Sequence, residues 1–160
     1  MTTENKDIKE LRVTVDVVLF YEKDFTREIL LINRLYEPFK DFYALPGGHI
    51  ENHEPLEVSA SRELLEETNV SIHPELLKYV NYYDQTDRDP RGRYISFAYY
   101  KVLDNKPNNI KAQDDAKDVK WFDINNLPQL AFVHFQIIKE AYAKAFWPKI
   151  GQKYKYEQRN

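Results

Sequence analysis

The sequence predicts an α/β sandwich, in which a mixed β-sheet is flanked by helices on both faces. Three observations support this fold class. Segments rich in β-branched and aromatic residues come first, a segment with helical spacing is inserted among them, and a second such segment follows at the end. A chain of 160 residues has the length of one domain. We expect this domain to span residues 1–148 and a polar, basic tail to follow at 149–160.

The first part of the chain predicts a hairpin and a short third strand. Residues 13–21 and 28–34 are apolar and β-branched, as buried strands are, and the polar stretch 22–27 is typical of a hairpin connection. Residues 42–48, FYALPGG, predict a short strand that ends in a turn, because proline and glycine interrupt strands.

A helix is predicted from Pro55 to about Thr68. Leu56, Ala60 and Leu64 recur at intervals of four, which places their side chains on one face of a helix. Proline suits the first helical position because the amide donor is not needed there.

The second half of the chain predicts three more strands and a final helix. Residues 76–85, 93–103 and 118–124 are strand-like, and the polar stretch between the first two contains the turn residues proline and glycine. Residues 134–146 predict an amphipathic helix. Its apolar residues at helical spacing are Phe135, Ile138, Tyr142 and Ala145.

The composition excludes several classes of protein. There is no cysteine, so disulfide bonds and thiolate catalysis are excluded, which is consistent with a reducing compartment. The net charge of −3 argues against a general nucleic-acid binder. The first ten residues are polar, unlike a signal peptide, and no stretch approaches the roughly 20 apolar residues of a membrane span. We therefore expect a cytoplasmic domain without nucleic-acid or membrane partners.

The predicted first helix carries a dense group of carboxylates. Residues 51–67 contain six glutamates, one arginine and no lysine. Glu63, Glu66 and Glu67 fall within about 100° of arc on one helix face, where like charges repel. A solvated helix face is one explanation. A Mg²⁺ site is the other, because this cation prefers carboxylate and carbonyl oxygens. The pair Gly47 and Gly48, just before the helix, favours a site, since glycine lets the backbone approach a ligand closely.

Residues 48–70, GHIENHEPLEVSASRELLEETNV, resemble the signature of the Nudix hydrolase family, G-x5-E-x7-R-E-U-x-E-E-x-G-U with U aliphatic. The matching residues are Gly48, Glu54, Arg62, Glu63, Leu64, Glu66, Glu67 and Val70. The one departure is Asn69, where the pattern has glycine. Asparagine is the usual second choice for a left-handed residue after a helix, so we expect a small stability cost and no loss of function.

The resemblance implies the Nudix α/β/α sandwich and the hydrolysis of a nucleoside diphosphate linked to another group. It also implies Mg²⁺ as the cofactor, with Mn²⁺ as a substitute. The implied metal ligands are the Gly47 carbonyl, Glu63, Glu66 and Glu67. Glu63 would bind the metal or position the attacking water, Arg62 would orient the glutamates, and Glu54 would support them from the start of the helix.

A second region of the sequence limits the range of candidate substrates. Residues 88–93, RDPRGR, together with residues 127–138, LPQLAFVHFQII, resemble the branch that contains ADP-ribose pyrophosphatases, Nudix domains fused to a nicotinamide mononucleotide adenylyltransferase, and Nudix-type regulators of NAD metabolism. That branch usually has an acid where this chain has Val133. Arginines could bind phosphate or ribose hydroxyls, although a solvated hairpin tip is the alternative. The candidate substrate-binding residues are Arg34, Arg88, Arg91 and Arg93.

This branch makes ADP-ribose, split to AMP and ribose 5-phosphate, the expected substrate. NADH, sugar nucleotides and oxidised deoxynucleotides are the alternatives. The general base stays open between Glu63 and an acid of the loop AQDDAKD, where Asp114, Asp115 and the nearby Asp118 are candidates. An ordinary acidic surface loop explains each of these aspartates equally well. We expect Asp16 to be paired or at the sheet edge, with a substrate contact as the alternative, and the sequence assigns no role to His134.

A regulatory domain that senses ADP-ribose is the alternative from another functional class. Such regulators usually carry a C-terminal winged helix-turn-helix and tend to lose the signature carboxylates. In this chain all of those carboxylates are present, and the sequence stops soon after the predicted last helix. Both features favour an enzyme. Because relatives often dimerise, we also expect a homodimer.

Overall fold

The computed structural model describes residues 10–147 and confirms the α/β sandwich, a seven-stranded mixed sheet with two helices packed against it. The strands are β1 (Leu11–Lys23), β2 (Thr26–Arg34), β3 (Tyr43–Ala44), β4 (Gly47–His49), β5 (Lys78–Tyr83), β6 (Arg93–Leu103) and β7 (Ala116–Asp123). The helices are α1 (Leu56–Thr68) and α2 (His134–Phe146), and a single 3₁₀ turn covers Pro74–Leu76. The predicted tail at 149–160 lies outside the described residues.

The sheet is built around the first strand. β1 pairs with β6 in parallel along nearly its whole length, and the order across the sheet is β3-β2-β1-β6-β5, with β7 also paired to β2. The other strand pairs are antiparallel. The predicted hairpin and all predicted strands are therefore present, and the parallel pair makes the sheet mixed.

The hairpin partners β1 and β2 do not pair along their whole length, so the sheet divides at one end. They pair only between residues 20–23 and 26–29, next to the connecting turn. Beyond that point residues 43–49 pair with both strands, because β3 pairs with β2 and β4 pairs with β1. The sheet therefore divides at one end, and the segment that bridges the division leads directly into α1.

The two faces of the sheet follow from the alternation of side chains along the strands. In β1, Val15, Val17 and Leu19 pack in the core beneath α1, while Val18 and Phe20 pack in the core beneath α2. All five side chains are fully buried, and each contributes about 1.5–3 kcal/mol by leaving water. β1 is therefore buried on both faces, which explains its nearly continuous apolar sequence.

Both predicted helices are confirmed, with two corrections of detail. Pro55 immediately precedes α1 and is not its first helical residue. In α2, Ile138 is buried and Tyr142 and Ala145 pack against the core as predicted, but Phe135 is 60% exposed, because the buried face is centred on Ile137 and Ala141. The residues on the buried face of α2 are His134, Ile137, Ile138 and Ala141.

The expected left-handed residue after α1 is confirmed. Asn69 has φ 61°, and its N–H donates to the Leu65 carbonyl at 2.9 Å. Its side-chain amide also donates to the Asn109 carbonyl at 2.9 Å, a contact that glycine could not make. This side-chain hydrogen bond therefore offsets part of the free-energy cost of the left-handed conformation for asparagine.

Neither helix within residues 10–147 has the length and apolar character needed to cross a membrane.

Candidate active site

The C-terminal half of α1 carries three carboxylates that differ in burial. Glu63 and Glu67, four residues apart, are buried against the sheet beside Leu64, with only 8% and 5% of their surface exposed. Glu66 lies at the edge of this face, with 44% of its side chain exposed. The solvated helix face considered above is therefore excluded for Glu63 and Glu67, since a carboxylate is seldom buried to this extent without a bound partner.

Arg62 contacts all the carboxylates near it except Glu67. Its Nε donates to both Glu54 oxygens at 3.0 and 2.9 Å, and its Nη1 donates to Glu63 at 2.9 Å and Glu66 at 3.2 Å. Its Nη2 donates to the carbonyl of His49 at 3.0 Å. Burial would lower the pKa of Arg62, but the hydrogen bonds to Glu54 and Glu63 outweigh it and raise the pKa. The planar guanidinium thus fixes the relative positions of three carboxylates.

Glu67 is the most strongly perturbed acid at the site. Its carboxylate accepts a hydrogen bond from the Gly47 N–H at 2.9 Å. Burial raises its pKa well above the usual range, this hydrogen bond offsets the effect only in part, and the negative charges of Glu63 and Asp115 raise the pKa further. Burial also raises the pKa of Glu63, against the opposing effect of Arg62. Two buried carboxyls with raised pKa values are a common feature of functional sites.

The two glycines before α1 are required by close contacts, and the predicted turn is confirmed only at Pro46, where the chain bends between β3 and β4. Gly47 and Gly48 lie in β4, paired with Asp16 and Val15 of β1. A Cβ on Gly47 would lie 2.1 Å from the Val15 carbonyl oxygen, and one on Gly48 would lie 2.5 Å from the Glu63 carboxyl carbon. The Glu63 carboxylate therefore occupies the space that a side chain at position 48 would need.

The residues around β4 and α1 fit a hard divalent cation. Glu63, Glu66, Glu67 and the backbone of Gly47 are oxygen donors on adjoining elements, and burial leaves the charge of Glu67 poorly compensated by protein groups. Another acidic group, Glu51, His53 and Glu54, has ligand atoms within 4.8 Å of one another. There, however, Glu51 and His53 are exposed, and Glu54 is already held by Ser59 and Arg62. Among the described residues, the oxygens of Glu63, Glu66 and Glu67 do not all lie within 4.8 Å of one another, but burial of Glu63 and Glu67 makes these glutamates the better donor set.

Three of the four arginines singled out in the sequence line one polar cavity. Arg34 reaches it from the end of β2, and Arg88 and Arg91 reach it from the turn between β5 and β6. Arg93 instead donates to the Asp84 carbonyl and borders a separate surface depression. The solvated hairpin tip is thus excluded for Arg88, which is only 9% exposed.

Two buried residues of this cavity, Asp16 and His134, were not among the predicted site residues. Asp16 lies in the middle of β1, only 7% exposed, and accepts a hydrogen bond from Ser96. His134, 4% exposed at the start of α2, has Nε2 3.4 Å from Asp16 Oδ1. The expected pairing of Asp16 is confirmed, and its partners are Ser96 and His134. The signal was available in the sequence, since Asp16 has the same alternation as Val18 and Phe20 and so faces α2.

The acidic loop before β7 approaches the end of α1. The Gln113 N–H donates to the backbone carbonyl of Glu67 at 3.1 Å, and the charge of Asp114 raises the pKa of Glu63. The charge of Asp115 likewise raises the pKa of Glu67. Asp118 lies within β7 and pairs with Lys120 at 3.1 Å, so its carboxylate is already engaged. The exposed residues Asp114 and Asp115 are the loop acids next to the glutamates.

Comparisons with known proteins agree with this geometry. The sequence profile of the NUDIX domain matches residues 10–141. An ADP-ribose pyrophosphatase of Methanocaldococcus jannaschii is 43% identical over 143 residues, which cover 86% of this chain and 80% of that protein.

Two solved structures extend the comparison. The NUDIX domain of Shewanella oneidensis NrtR, crystallised with ADP ribose, has a TM-score of 0.78 and 30% identity over 89% of this chain and 94% of that one. A bifunctional NMN adenylyltransferase/ADP ribose pyrophosphatase of Francisella tularensis, complexed with AMP and a Mn ion, has a TM-score of 0.73 and 36% identity. That match covers 86% of this chain and 42% of the bifunctional protein, so this chain spans less than half of its length.

Proposed function

This chain belongs to the Nudix hydrolase family, and we propose that it hydrolyses ADP-ribose to AMP and ribose 5-phosphate with the aid of Mg²⁺ or Mn²⁺. The observation that carries the proposal is the junction at Gly48. This residue lines the arginine cavity, and its missing side chain makes room for the Glu63 carboxylate. The cavity lined by arginines therefore adjoins the carboxylates of α1. A metal-assisted diphosphate site needs both, because the carboxylates bind the metal and the arginines bind phosphate oxygens.

We assign the cation to Glu63, Glu66, Glu67 and the Gly47 carbonyl. When bound, the metal neutralises charge on the diphosphate and lowers the pKa of the attacking water. Arg62 keeps Glu54, Glu63 and Glu66 in one arrangement, so that little reorganisation is needed when substrate binds.

We assign the diphosphate oxygens to arginines of the cavity. Arg34 lines the cavity, and the charges of both Glu67 and Arg91 act on its guanidinium. Burial and the charge of Arg91 lower the pKa of Arg34, yet a guanidinium remains charged in proteins. Its charge is poorly screened by water and is available to stabilise the departing phosphate.

We propose Glu63 or a loop acid, Asp114 or Asp115, as the general base. Glu63 is positioned by Arg62, whereas the loop acids are exposed and lie on a segment bound to the end of α1. Turnover at saturating Mg²⁺ separates these candidates. The base is the residue whose amide variant (Glu63→Gln, Asp114→Asn or Asp115→Asn) loses about 100-fold or more, while the other two lose far less.

A substrate panel tests the proposed activity. With Mg²⁺, kcat/KM for ADP-ribose should exceed the values for NADH, ADP-glucose and 8-oxo-dGTP by at least about tenfold, because a site with buried polar groups rejects analogues that leave those groups unpaired. Chromatography should identify AMP and ribose 5-phosphate as products. Equal rates across the panel would contradict the assignment.

The sensor function is the second candidate, and one observation counts against it. All the signature carboxylates are present, Glu63 and Glu67 are buried, and Arg62 holds Glu54, Glu63 and Glu66, an arrangement that binding alone does not need. Tight binding of ADP-ribose with no release of AMP in Mg²⁺ would favour the sensor. The homodimer remains our proposal, and sedimentation equilibrium tests it.

A further inference from the structure

Phe132 has an unusual backbone conformation in the wall of the arginine cavity. Its φ is 51°, in the left-handed region, where a bulky side chain is strained. The residue lies two positions before α2 begins, and it lines the cavity together with Arg34 and Arg91. Strain of this kind points to a side chain that must occupy one particular place.

Hydrogen bonds on either side of Phe132 hold the chain in this conformation. The Ala131 N–H donates to the Tyr43 carbonyl at 2.8 Å, and the His134 N–H donates to the Ala131 carbonyl at 3.2 Å. Ala131 is also fully buried. The backbone is therefore fixed before and after Phe132, and the ring has little freedom to leave the cavity wall.

The ring of Phe132 is close to two of the cavity arginines. The Cζ atom of Arg34 lies 4.8 Å from the ring centroid, and the Cζ atom of Arg91 lies 5.5 Å from it. Both distances are within the roughly 6 Å over which a guanidinium is attracted to the negative face of an aromatic ring. Two cations from different elements, β2 and the turn before β6, thus share one ring.

The two arginines differ in how their guanidiniums are held. Arg91 is fixed, because its Nε and Nη2 donate to the two Asp89 oxygens at 3.0 and 2.8 Å. In Arg34, the only hydrogen bond to another described residue is from Nε to the Pro38 carbonyl at 2.8 Å. The two terminal nitrogens of Arg34 are therefore available to a ligand, and the contact with Phe132 limits their movement.

The two guanidiniums also repel each other. Burial lowers the pKa of Arg34, and the charge of Arg91 lowers it further, so the two groups are close enough to interact. Without an opposing attraction, like charges in a partly desolvated cavity would move apart. An aromatic ring attracts both cations and leaves their N–H groups unoccupied, whereas a carboxylate would accept hydrogen bonds from them.

We propose that Phe132 is a positioning residue, which holds the Arg34 guanidinium near Arg91 with its terminal nitrogens available to the diphosphate. The inference rests on the proposed function, in which arginines of the cavity bind the diphosphate oxygens. Phe39 packs edge-on against the ring, with the two centroids 4.8 Å apart, and so helps to keep the ring in place.

A double-mutant cycle on kcat/KM for ADP-ribose in Mg²⁺ tests this role. Phe132→Leu keeps an apolar side chain but removes the ring, and it should lower kcat/KM by about tenfold. In an Arg34→Met background the same change should cost less than about twofold, because the guanidinium that the ring positions is then absent. Phe132→Tyr keeps the ring and should stay within about twofold of the wild type.

Phe39→Leu is the matched control. Phe39 also has a left-handed backbone, with φ 61°, and it contacts the same ring. Within residues 10–147, however, no arginine lies over the Phe39 ring as Arg34 and Arg91 do over Phe132. This variant should therefore lose less than about threefold in kcat/KM. A loss as large as that of Phe132→Leu would show that aromatic packing is sufficient to explain the effect, and it would overturn the proposal.

Two further results would also overturn it. Phe132→Leu could have the kcat/KM of the wild type, or it could lose equally with and without Arg34. If Phe132→Leu does not fold, 3,4,5-trifluorophenylalanine at position 132 replaces it, since this residue keeps the shape of the ring and weakens its negative face. We expect a loss of about fivefold or more at position 132 and less than about twofold at position 39. Equal effects at the two positions would contradict the proposal.

Calorimetry with ADP-ribose in EDTA separates this inference from the proposed function. If the wild type binds ADP-ribose but does not hydrolyse it in Mg²⁺, the hydrolase proposal fails. The positioning role then stands if Phe132→Leu binds about tenfold more weakly only when Arg34 is present. If Phe132→Leu hydrolyses ADP-ribose as well as the wild type, the positioning role fails and the hydrolase stands. A wild type that neither binds nor hydrolyses ADP-ribose would overturn both.

Discussion

Glu67 is the residue at which stability and the proposed activity conflict most. Its carboxylate is buried, and burial raises its pKa in the folded protein. Between the unfolded and the folded pKa, the folded state binds more protons than the unfolded state, so stability falls as the pH rises through this window. At a pH above the unfolded pKa of Glu67, this buried carboxyl therefore destabilises the metal-free protein.

We predict that Glu67→Gln raises the melting temperature in EDTA at pH 8, because glutamine fills the same space without a charge. A gain of at least about 2 °C is expected, and the gain should shrink toward pH 5 as the native carboxyl becomes protonated. The same variant should lose about 100-fold or more in turnover of ADP-ribose.

Glu66→Gln is the matched stability control. Glu66 is largely accessible to solvent and should change the unfolding free energy by less than about 1 kcal/mol. A Glu67→Gln protein that melts lower than the wild type in EDTA at pH 8 would show that the buried carboxylate is not a cost to the fold.

For single residues, the sequence predicted which side chains belong to the site better than it predicted which residues they contact. The signature placed Glu63 and Glu67 on one face of a helix, and local spacing is sufficient for that. The sequence could not predict the contact between His134 and Asp16. These residues are far apart in the chain and come together only when α2 packs on β1.

Among the secondary-structure elements, β4 is the one that the sequence described least well. Proline and two glycines predicted a turn, whereas residues 47–49 pair with β1, a strand about thirty residues earlier. A strand of three residues has too little pattern to be distinguished from a turn, and its partner is not local. The long strands and both helices carry enough periodicity to be predicted, although Phe135 was assigned to the wrong face of α2.

Alanine at the two glycines of β4 should have different effects. In Gly47→Ala the new Cβ meets the backbone of Val15, which cannot move away alone, so we expect a loss of several kcal/mol in unfolding free energy. In Gly48→Ala the Cβ meets the end of the Glu63 side chain, which can rotate away. The second variant should therefore stay folded and lose at least about tenfold in kcat.

Denaturant unfolding and steady-state kinetics on both variants check this prediction. A Gly48→Ala enzyme with wild-type kcat would show that the position of the Glu63 carboxylate does not matter. A Gly47→Ala protein of wild-type stability would contradict the close approach of β4 to β1.

On the scale of the whole molecule, the division of the sheet produces the site. Because β1 and β2 separate beyond their turn, the bridging segment leads into α1 with its glutamates on one side, and the arginine cavity opens on the other. The α/β class was predictable from the order of the elements. The parallel pairing of β1 with β6 was not, since register between distant strands depends on contacts that no local pattern encodes.

The positions of the arginine side chains could not be predicted from the sequence either. Their spacing in RDPRGR showed a cationic turn, but only the packed structure separates Arg88, buried in the cavity, from Arg93, which is bound to the Asp84 carbonyl. Nudix membership could be read from the residues of the signature, whereas the shape of the substrate cavity required the assembled fold.

In the proposed reaction, cleavage of the diphosphate requires a divalent cation held by α1. The most direct measurement is release of AMP from ADP-ribose by the wild type in Mg²⁺, in EDTA, and in EDTA followed by excess Mn²⁺. We predict turnover in Mg²⁺, none above background in EDTA, and recovery with Mn²⁺. Undiminished release of AMP in EDTA, or no release under any of these conditions by folded protein, would contradict the account.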